Sequence, residues 1–210
     1  MSQENQLFSL FLSQRKFVEP ELIAALKQHS CVKRHDKDVL LLESGEYITA
    51  LTILLAGKMR VYQENNEKEI LLYHLQPFET CPLSLSSCIE LCQSEANIVT
   101  SEESIILSIP AHLAKEWKDK YTSWRDYMFE VYKQQYTSLL GNYANLAFLT
   151  LEERLLNYLK QQQRNHIVNE SHQEIANQLA ASRVAISRLL KRFQHRGIIE
   201  MKSKEITVLV

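Results

Sequence analysis

Arg183, Arg188, Lys191, Arg192 and Arg196 are five cations in one short stretch of a 210-residue chain, with no acidic residue among them. Side chains of this kind neutralise phosphates, and an arginine can also bridge two acceptors on one base edge. Arg183 falls in the first turn of an expected helix, against the positive end of its dipole, a place that a helix built only for stability avoids. The chemistry indicated is the binding of an anion. Catalysis is not indicated: no nucleophile, base and orienting residue can be assembled from spacing, and four glycines form no phosphate-cradling loop.

The surrounding residues specify how these cations are carried. Ser171 followed by Glu174 is a capping box, so a helix is predicted to start at His172, with Ile175, Ala176 and Leu179 on its buried face. It ends at a break, Ala180-Ala181-Ser182, and Ser182 caps a second helix. There Val184 or Ala185, Ile186, Leu189, Leu190 and Phe193 supply a core face, while Arg183, Ser187, Arg188, Lys191 and Arg192 fall on other faces. Gly197 suits the helix end. Beyond it, Ile198 to Met201 and Glu205 to Val210 read as two strands, with Ile206, Val208 and Val210 alternating inward and Lys202 and Lys204 at the turn. A helix-turn-helix followed by such a wing places one helix in a DNA major groove and a hairpin against phosphate. The candidate DNA-binding residues are therefore Ser182, Arg183, Val184, Ser187, Arg188, Lys191 and Lys202.

The charge distribution agrees. The whole chain has a formal charge of −1, but residues 171–210 hold 7 basic and 3 acidic residues, leaving +4 there and −5 on the remainder. A 45% hydrophobic content is enough for one or two cored domains. No apolar run is long enough for a membrane span, and Leu7 to Leu12 lacks the flanks of a signal peptide, so the expected location is cytoplasmic, without a membrane partner. Cys31, Cys81, Cys88 and Cys92 are expected to be reduced thiols. Their spacing and the scattered histidines match no metal or haem motif, so no metal and no cofactor are expected.

Upstream, two short helical patterns occupy residues 3–30, the second opening near Pro20 with Leu22, Ala25 and Leu26 at core spacing. From Val32 to about Pro110, short apolar runs punctuated by turns predict a barrel or roll: Val39 to Leu42, Leu51 to Leu55, Met59 to Tyr62, Ile70 to Leu75, Ile98-Val99 and Ile105 to Ile109. Helical periodicity then runs on for many turns. Met128, Tyr132, Tyr136, Leu139, Tyr143 and Leu146 step by three or four and form one apolar stripe, the expected dimer interface of a long central helix. Thr150 with Glu153 is a second capping box, opening a helix from Leu151 to Gln163 whose core face is Leu151, Leu155, Tyr158 and Leu159. Gln161 to Asn169 reads as a polar linker.

This order of parts resembles the Crp/Fnr family of bacterial transcription regulators. The resemblance is carried by Gln173-Glu174-Ile175-Ala176, by Ser182-Arg183-Val184-Ala185-Ile186-Ser187-Arg188-Leu189-Leu190-Lys191 and by Gly197-Ile198-Ile199. Asn145 to Leu149 with Arg154 resembles the family's hinge, and Gly45-Glu46 and Gly57 to Tyr62 its roll motifs. It implies an α+β fold: a cyclic-nucleotide-binding-like β-roll with N-terminal helices over 1–115, a central dimerisation helix and hinge over 116–149, and a winged helix-turn-helix over 150–210. It also implies a homodimer on a two-fold symmetric operator, acting on RNA polymerase, with Arg188 at guanine and Ser182, Lys191 and Lys202 at phosphates. Where the family usually has Arg-Glu, this chain has Arg183-Val184, which favours a thymine methyl. Cyclic AMP is not the expected ligand. The family's phosphate-binding Arg-Ser or Arg-Thr pair falls near Ser94-Glu95, no arginine lies between Arg60 and Arg125, and the adenine-contacting Thr-Ser pair aligns with Leu139-Leu140. The small-molecule effector is thus unassigned. A competing reading, a ligand-binding module acting through protein partners, leaves the cation-only face of the second helix without a purpose.

Overall fold

The computed structural model describes residues 2–65, 68–163, 166–179, 181–202 and 205–209, with backbone alone at 65, 68, 142 and 144–147. The chain divides into two compact units, Met1–Thr137 and Ser138–Val210.

The first unit opens with α1 (Gln3–Gln14) and α2 (Pro20–His29). The strands β1 (Cys31–His35), β2 (Leu40–Leu42), β3 (Ala50–Ala56), β4 (Met59–Asn65) and β5 (Lys68–Leu75) follow, then the short helix α3 (Pro82–Ser86), β6 (Asn97–Thr100) and β7 (Ser104–Pro110). They pair antiparallel into two sheets, β1-β7-β3 and β2-β6-β4-β5, which is the roll expected from the spacing of apolar runs. Alternation along β3 and β7 sends the two faces of the first sheet into different cores. Leu51, Ile53, Leu55, Ile105, Leu107 and Ile109 pack under the helices with Phe11, Leu22, Leu26 and Trp124. Leu54 and Ile106 turn the other way and meet Met59, Val61, Leu75, Cys81, Ala96 and Ile98 inside the roll. Gly57 turns β3 into β4 with φ +91°, and a Cβ there would come within 2.4 Å of the Glu103 carbonyl, so no other residue fits.

The expected single long helix is two. The helix α4 (Ala111–Lys120) ends where Tyr121 takes an extended conformation, and α5 (Thr122–Phe148) begins at once. The break lets Trp117 and Trp124 meet edge to face at 5.5 Å, with the Trp124 indole N–H donating to the Ala114 carbonyl at 2.9 Å. The expected central element therefore starts at Thr122 rather than at 116, and the boundary between units falls within α5.

The second unit continues with α6 (Leu151–Gln162), β8 (Ile167–Val168), α7 (His172–Gln178), α8 (Arg183–His195), β9 (Ile199–Lys202) and β10 (Glu205–Val208). Both predicted capping boxes are formed, Thr150 with Glu153 and Ser171 with Glu174. The hydroxyl of Ser182 accepts the Ala185 N–H at 3.2 Å. Gly197, at φ +66°, closes α8: its N–H reaches the Gln194 carbonyl and that of Ile198 the Phe193 carbonyl, at 3.0 and 2.9 Å. Leu155, Leu159, Ile175, Ile186, Leu190, Phe193, Ile206 and Val208 form the core. The linker reading of Gln161 to Asn169 needs correction. Its first residues finish α6, and β8 pairs with β10 to give a sheet of order β8-β10-β9, with Val168 buried. Ala180, Lys204 and Val210, parts of the expected break and wing, lie outside the described residues.

Candidate nucleic-acid interface

α8 sorts its side chains by depth. Ile186, Leu190 and Phe193 are fully buried, and Ala185 and Leu189 are partly so. Arg183, Val184, Ser187, Arg188 and Lys191 fall at i, i+3 and i+4 spacings on the opposite face and together line a shallow concavity of about 360 Å³. Val184 is 60% exposed and Ala185 partly buried, so of the two positions that the sequence left open Val184 is the outward one. A bare valine among three cations is unfavourable for solubility and suited to an apolar contact such as a thymine methyl. Ser182 is exposed at the N-cap. Its oxygen accepts the Ala185 N–H. Lys202 is exposed at the end of β9, opposite Glu205 in the hairpin register.

The remaining two cations of α8 belong elsewhere. Glu152, in the first turn of α6, accepts from Arg192 at 2.9 Å through one oxygen and from Arg196 at 2.6 Å through the other. The bridge ties the C-terminal half of α8 to α6, at the end of the dipole that welcomes cations. It separates two anchoring arginines from the outward set of Arg183, Arg188 and Lys191. Arg154, also on α6, donates to the Leu179 carbonyl at 3.1 Å and so holds the end of α7, just before the turn. A third contact joins α7 to α8 directly, with His172 Nδ1 lying 2.9 Å from Ser187 Oγ. None of these three contacts was predicted. Each joins residues far apart in sequence, and only the identity of Arg154 hinted at its use.

The apolar stripe of α5 divides along its length. Met128 is 4% exposed and packs in the core of the first unit with Trp124, Tyr127 and Val131, and Tyr132 is half-buried against the same core. Met128 therefore does not belong to an outward interface, because the first turns of α5 cover the sheet of their own unit. Tyr136, Leu139 and Tyr143 are 64%, 65% and 72% exposed, and Leu140, absent from the predicted stripe, joins them at 51%. The side chain of Leu146 lies outside the described residues.

Several roll residues around the stretches that resemble the family's motifs make internal contacts. Ser94 is buried, its hydroxyl donating to the Ala96 carbonyl at 2.6 Å and its N–H to the Glu46 carbonyl at 2.8 Å. Glu79 accepts the Gln76 N–H at 2.8 Å, and the Thr80 hydroxyl bonds to that of Tyr127 on α5. Cys81 is fully buried, and burial pushes its thiol up; the Cys88 thiol is raised to about 11 for the same reason. Neither is a thiolate at neutral pH. Among the described residues no group of three metal-ligating side chains comes together, and no helix is long and apolar enough to cross a membrane.

Comparison with known proteins bears on both units. Residues 151–209 match the family model of the Crp-like helix-turn-helix domain. That segment is a Crp-like helix-turn-helix domain. No curated protein matches the chain by sequence. Among solved structures, a protein described as a transcriptional regulator of the crp/fnr family from Eubacterium rectale ATCC 33656 superposes with a TM-score of 0.80 at 22% identity, over 92% of this chain and 91% of that one. The c-di-GMP responsive global regulator CLP of Xanthomonas campestris does so with a TM-score of 0.74 at 19% identity, over 90% and 99%. FixK2 from Bradyrhizobium japonicum gives 0.72 at 13% identity, over 86% and 93%. At these identities the likeness is one of fold, and the chain has the Crp/Fnr fold throughout: a β-rich cyclic-nucleotide-binding-like domain, a long helix and a helix-turn-helix.

Proposed function

We propose that this protein is a transcription regulator that binds a two-fold symmetric DNA operator as a homodimer, with α8 in the major groove. The observation that carries the reading is the outward grouping of Arg183, Val184, Ser187, Arg188 and Lys191 on one face of α8, while Arg192 and Arg196 are held by Glu152. Arg188 reads guanine O6 and N7, Val184 packs against a thymine methyl, and Ser182, Lys191 and Lys202 hold phosphates and set the register. The exposed half of the α5 stripe provides the dimer contact. The roll is read as a degenerate effector domain that does not take cyclic AMP, because Ser94 and Glu95 offer no cation to a phosphodiester. A groove of about 260 Å³ opens beside β1, lined by Cys31, Lys33, Leu41, Leu42, Ile48 and Ile106 among others, again without an arginine.

Selection of binding sites from random DNA tests the reading. A symmetric site with a guanine in each half is expected. Arg188→Ala should cost about 1–3 kcal/mol per half-site and relax that guanine. Lys191→Ala should weaken all sequences alike and flatten the salt dependence. Enrichment of no sequence, or a guanine preference that survives Arg188→Ala, would overturn the reading.

A further inference from the structure

The contact between His172 and Ser187 joins α7 to α8 at the edge of the outward face. His172 is the first residue of α7, placed there by the Ser171 cap, and its ring reaches across to α8. Ser187 sits within the outward face, between Arg183 and Arg188. A serine in a helix commonly returns its hydroxyl hydrogen to a carbonyl of the preceding turn, as Ser9 does to Asn5 at 2.8 Å. The Ser187 hydroxyl meets the His172 ring instead.

We propose that His172 is a positioning residue of the DNA-reading face: its Nδ1 accepts the hydroxyl hydrogen of Ser187, so that Ser187 presents only lone pairs to the groove. This rests on the DNA-binding reading above. A free serine hydroxyl reads donors and acceptors alike, since its hydrogen rotates. One whose hydrogen is claimed by a ring nitrogen can only accept, and so selects the amino group of adenine or cytosine over the bare acceptors of guanine and thymine. The neutral ring is the form required, and the surroundings favour it. Partial burial of the ring and the nearby Arg183 and Lys191 push the imidazole below its usual value. The acids around it are engaged: Glu174 accepts the Ser171 N–H at 2.6 Å and Glu170 the Tyr158 hydroxyl at 2.5 Å. Glu205 of β10 lines the same recess as Glu170 and Arg183. Once the ring is protonated both nitrogens carry hydrogen, Nδ1 must donate, and the Ser187 hydrogen is turned outward.

The test is site selection from random half-sites with the full-length protein at about pH 8, where a histidine is neutral, for the wild type, His172→Ala, His172→Asn and Ser187→Ala. Preference for adenine or cytosine is expected at one position in the wild type. It should be lost equally in His172→Ala and Ser187→Ala, and be partly restored by the acceptor oxygen of His172→Asn, with the Arg188 guanine unchanged throughout. A second arm needs no variant: as the pH is lowered until the His172 ring signal in the NMR spectrum reports protonation, the wild-type preference at that position should swing toward guanine or thymine. An unchanged preference in His172→Ala, or one that persists after the His172 ring is seen to protonate, refutes the role of His172 while leaving DNA binding standing. Failure of the wild type to select any DNA refutes the parent reading instead.

Discussion

The exposed half of α5 allows the dimer to be tested by number. Tyr136, Leu139, Leu140 and Tyr143 follow i, i+3, i+4, i+7 and are 64%, 65%, 51% and 72% exposed. Full burial of a large apolar side chain yields about 1.5–3 kcal/mol, so covering the open part of each recovers about 1–2 kcal/mol. Four side chains on each of two chains give roughly 8–16 kcal/mol, against an association cost of about 4–15 kcal/mol, which at the lower costs leaves a dimer of micromolar strength. Tyr136→Glu with Leu139→Glu removes about half of the gain and sets four carboxylates into the seam, a loss of at least about 4 kcal/mol or roughly a thousandfold. Sedimentation equilibrium near micromolar concentration should show dimers for the wild type and monomers for the variant, with unaltered helix content by circular dichroism. Met128→Ala is the contrasting change. Its side chain is in the core of the first unit, so it should lower folding stability by about 2–5 kcal/mol and leave the association of the folded chain intact. A dimer that withstands both glutamates, or one that dissociates on Met128→Ala without loss of stability, would refute the division of the stripe.

Two further outcomes concern the roll. Cyclic AMP or cyclic GMP at millimolar concentration should leave the melting temperature and operator affinity unchanged, whereas a ligand at a hundred times its dissociation constant would add about 2.7 kcal/mol; a clear upward shift would sink the argument from Ser94 and Glu95. His74 gives a pH dependence of known sign. Burial, helped by Lys58 and Arg60, pushes its imidazole down to about 4, while its Nδ1 bonds to the Met59 carbonyl at 3.3 Å. Unfolding restores a value near 6.5, so the unfolded chain binds the extra proton between those limits. The stability is therefore complete above that range and lost as pH falls through it, by about 2 kcal/mol at about pH 5. Urea unfolding of the full chain should show this loss, and His74→Gln should reduce it; an equal acid loss in the variant would exclude His74 as its source.

The helix-turn-helix was legible because its signals are local. Ser171 with Glu174, Ser182 and Gly197 each act within one turn of their own position, and the structure places a cap or a helix end at every one. The roll strands were legible for a similar reason, since turn residues and short apolar runs lie side by side in sequence. β8 was not: two residues between polar neighbours carry no period, and they become a strand only because Ile206 and Thr207 of β10 supply the partner. The break at Tyr121 was hidden by helical spacing that continues across it, and the depth of Met128 by a stripe whose chemistry is the same at both ends.

The cations of α8 show most clearly where the sequence stops being sufficient. Arg188 and Arg192 are four residues apart on the same helix, and nothing within α8 distinguishes an outward cation from an anchor. The distinction is made by Glu152, forty positions away from Arg192, at the opening of α6 where a carboxylate is favoured by the helix dipole. Glu152 offsets one of the two charges of Arg192 and Arg196 and fixes both guanidinium groups beside α6, while Arg183, Arg188 and Lys191 lie on the side that also bears Val184 and Ser187. A helix with all of its cations free would bind phosphate in many orientations with little preference among them. Under the proposed reading, fixing two arginines against α6 favours the face of Arg183, Arg188 and Lys191, and so one orientation in which that face meets the groove.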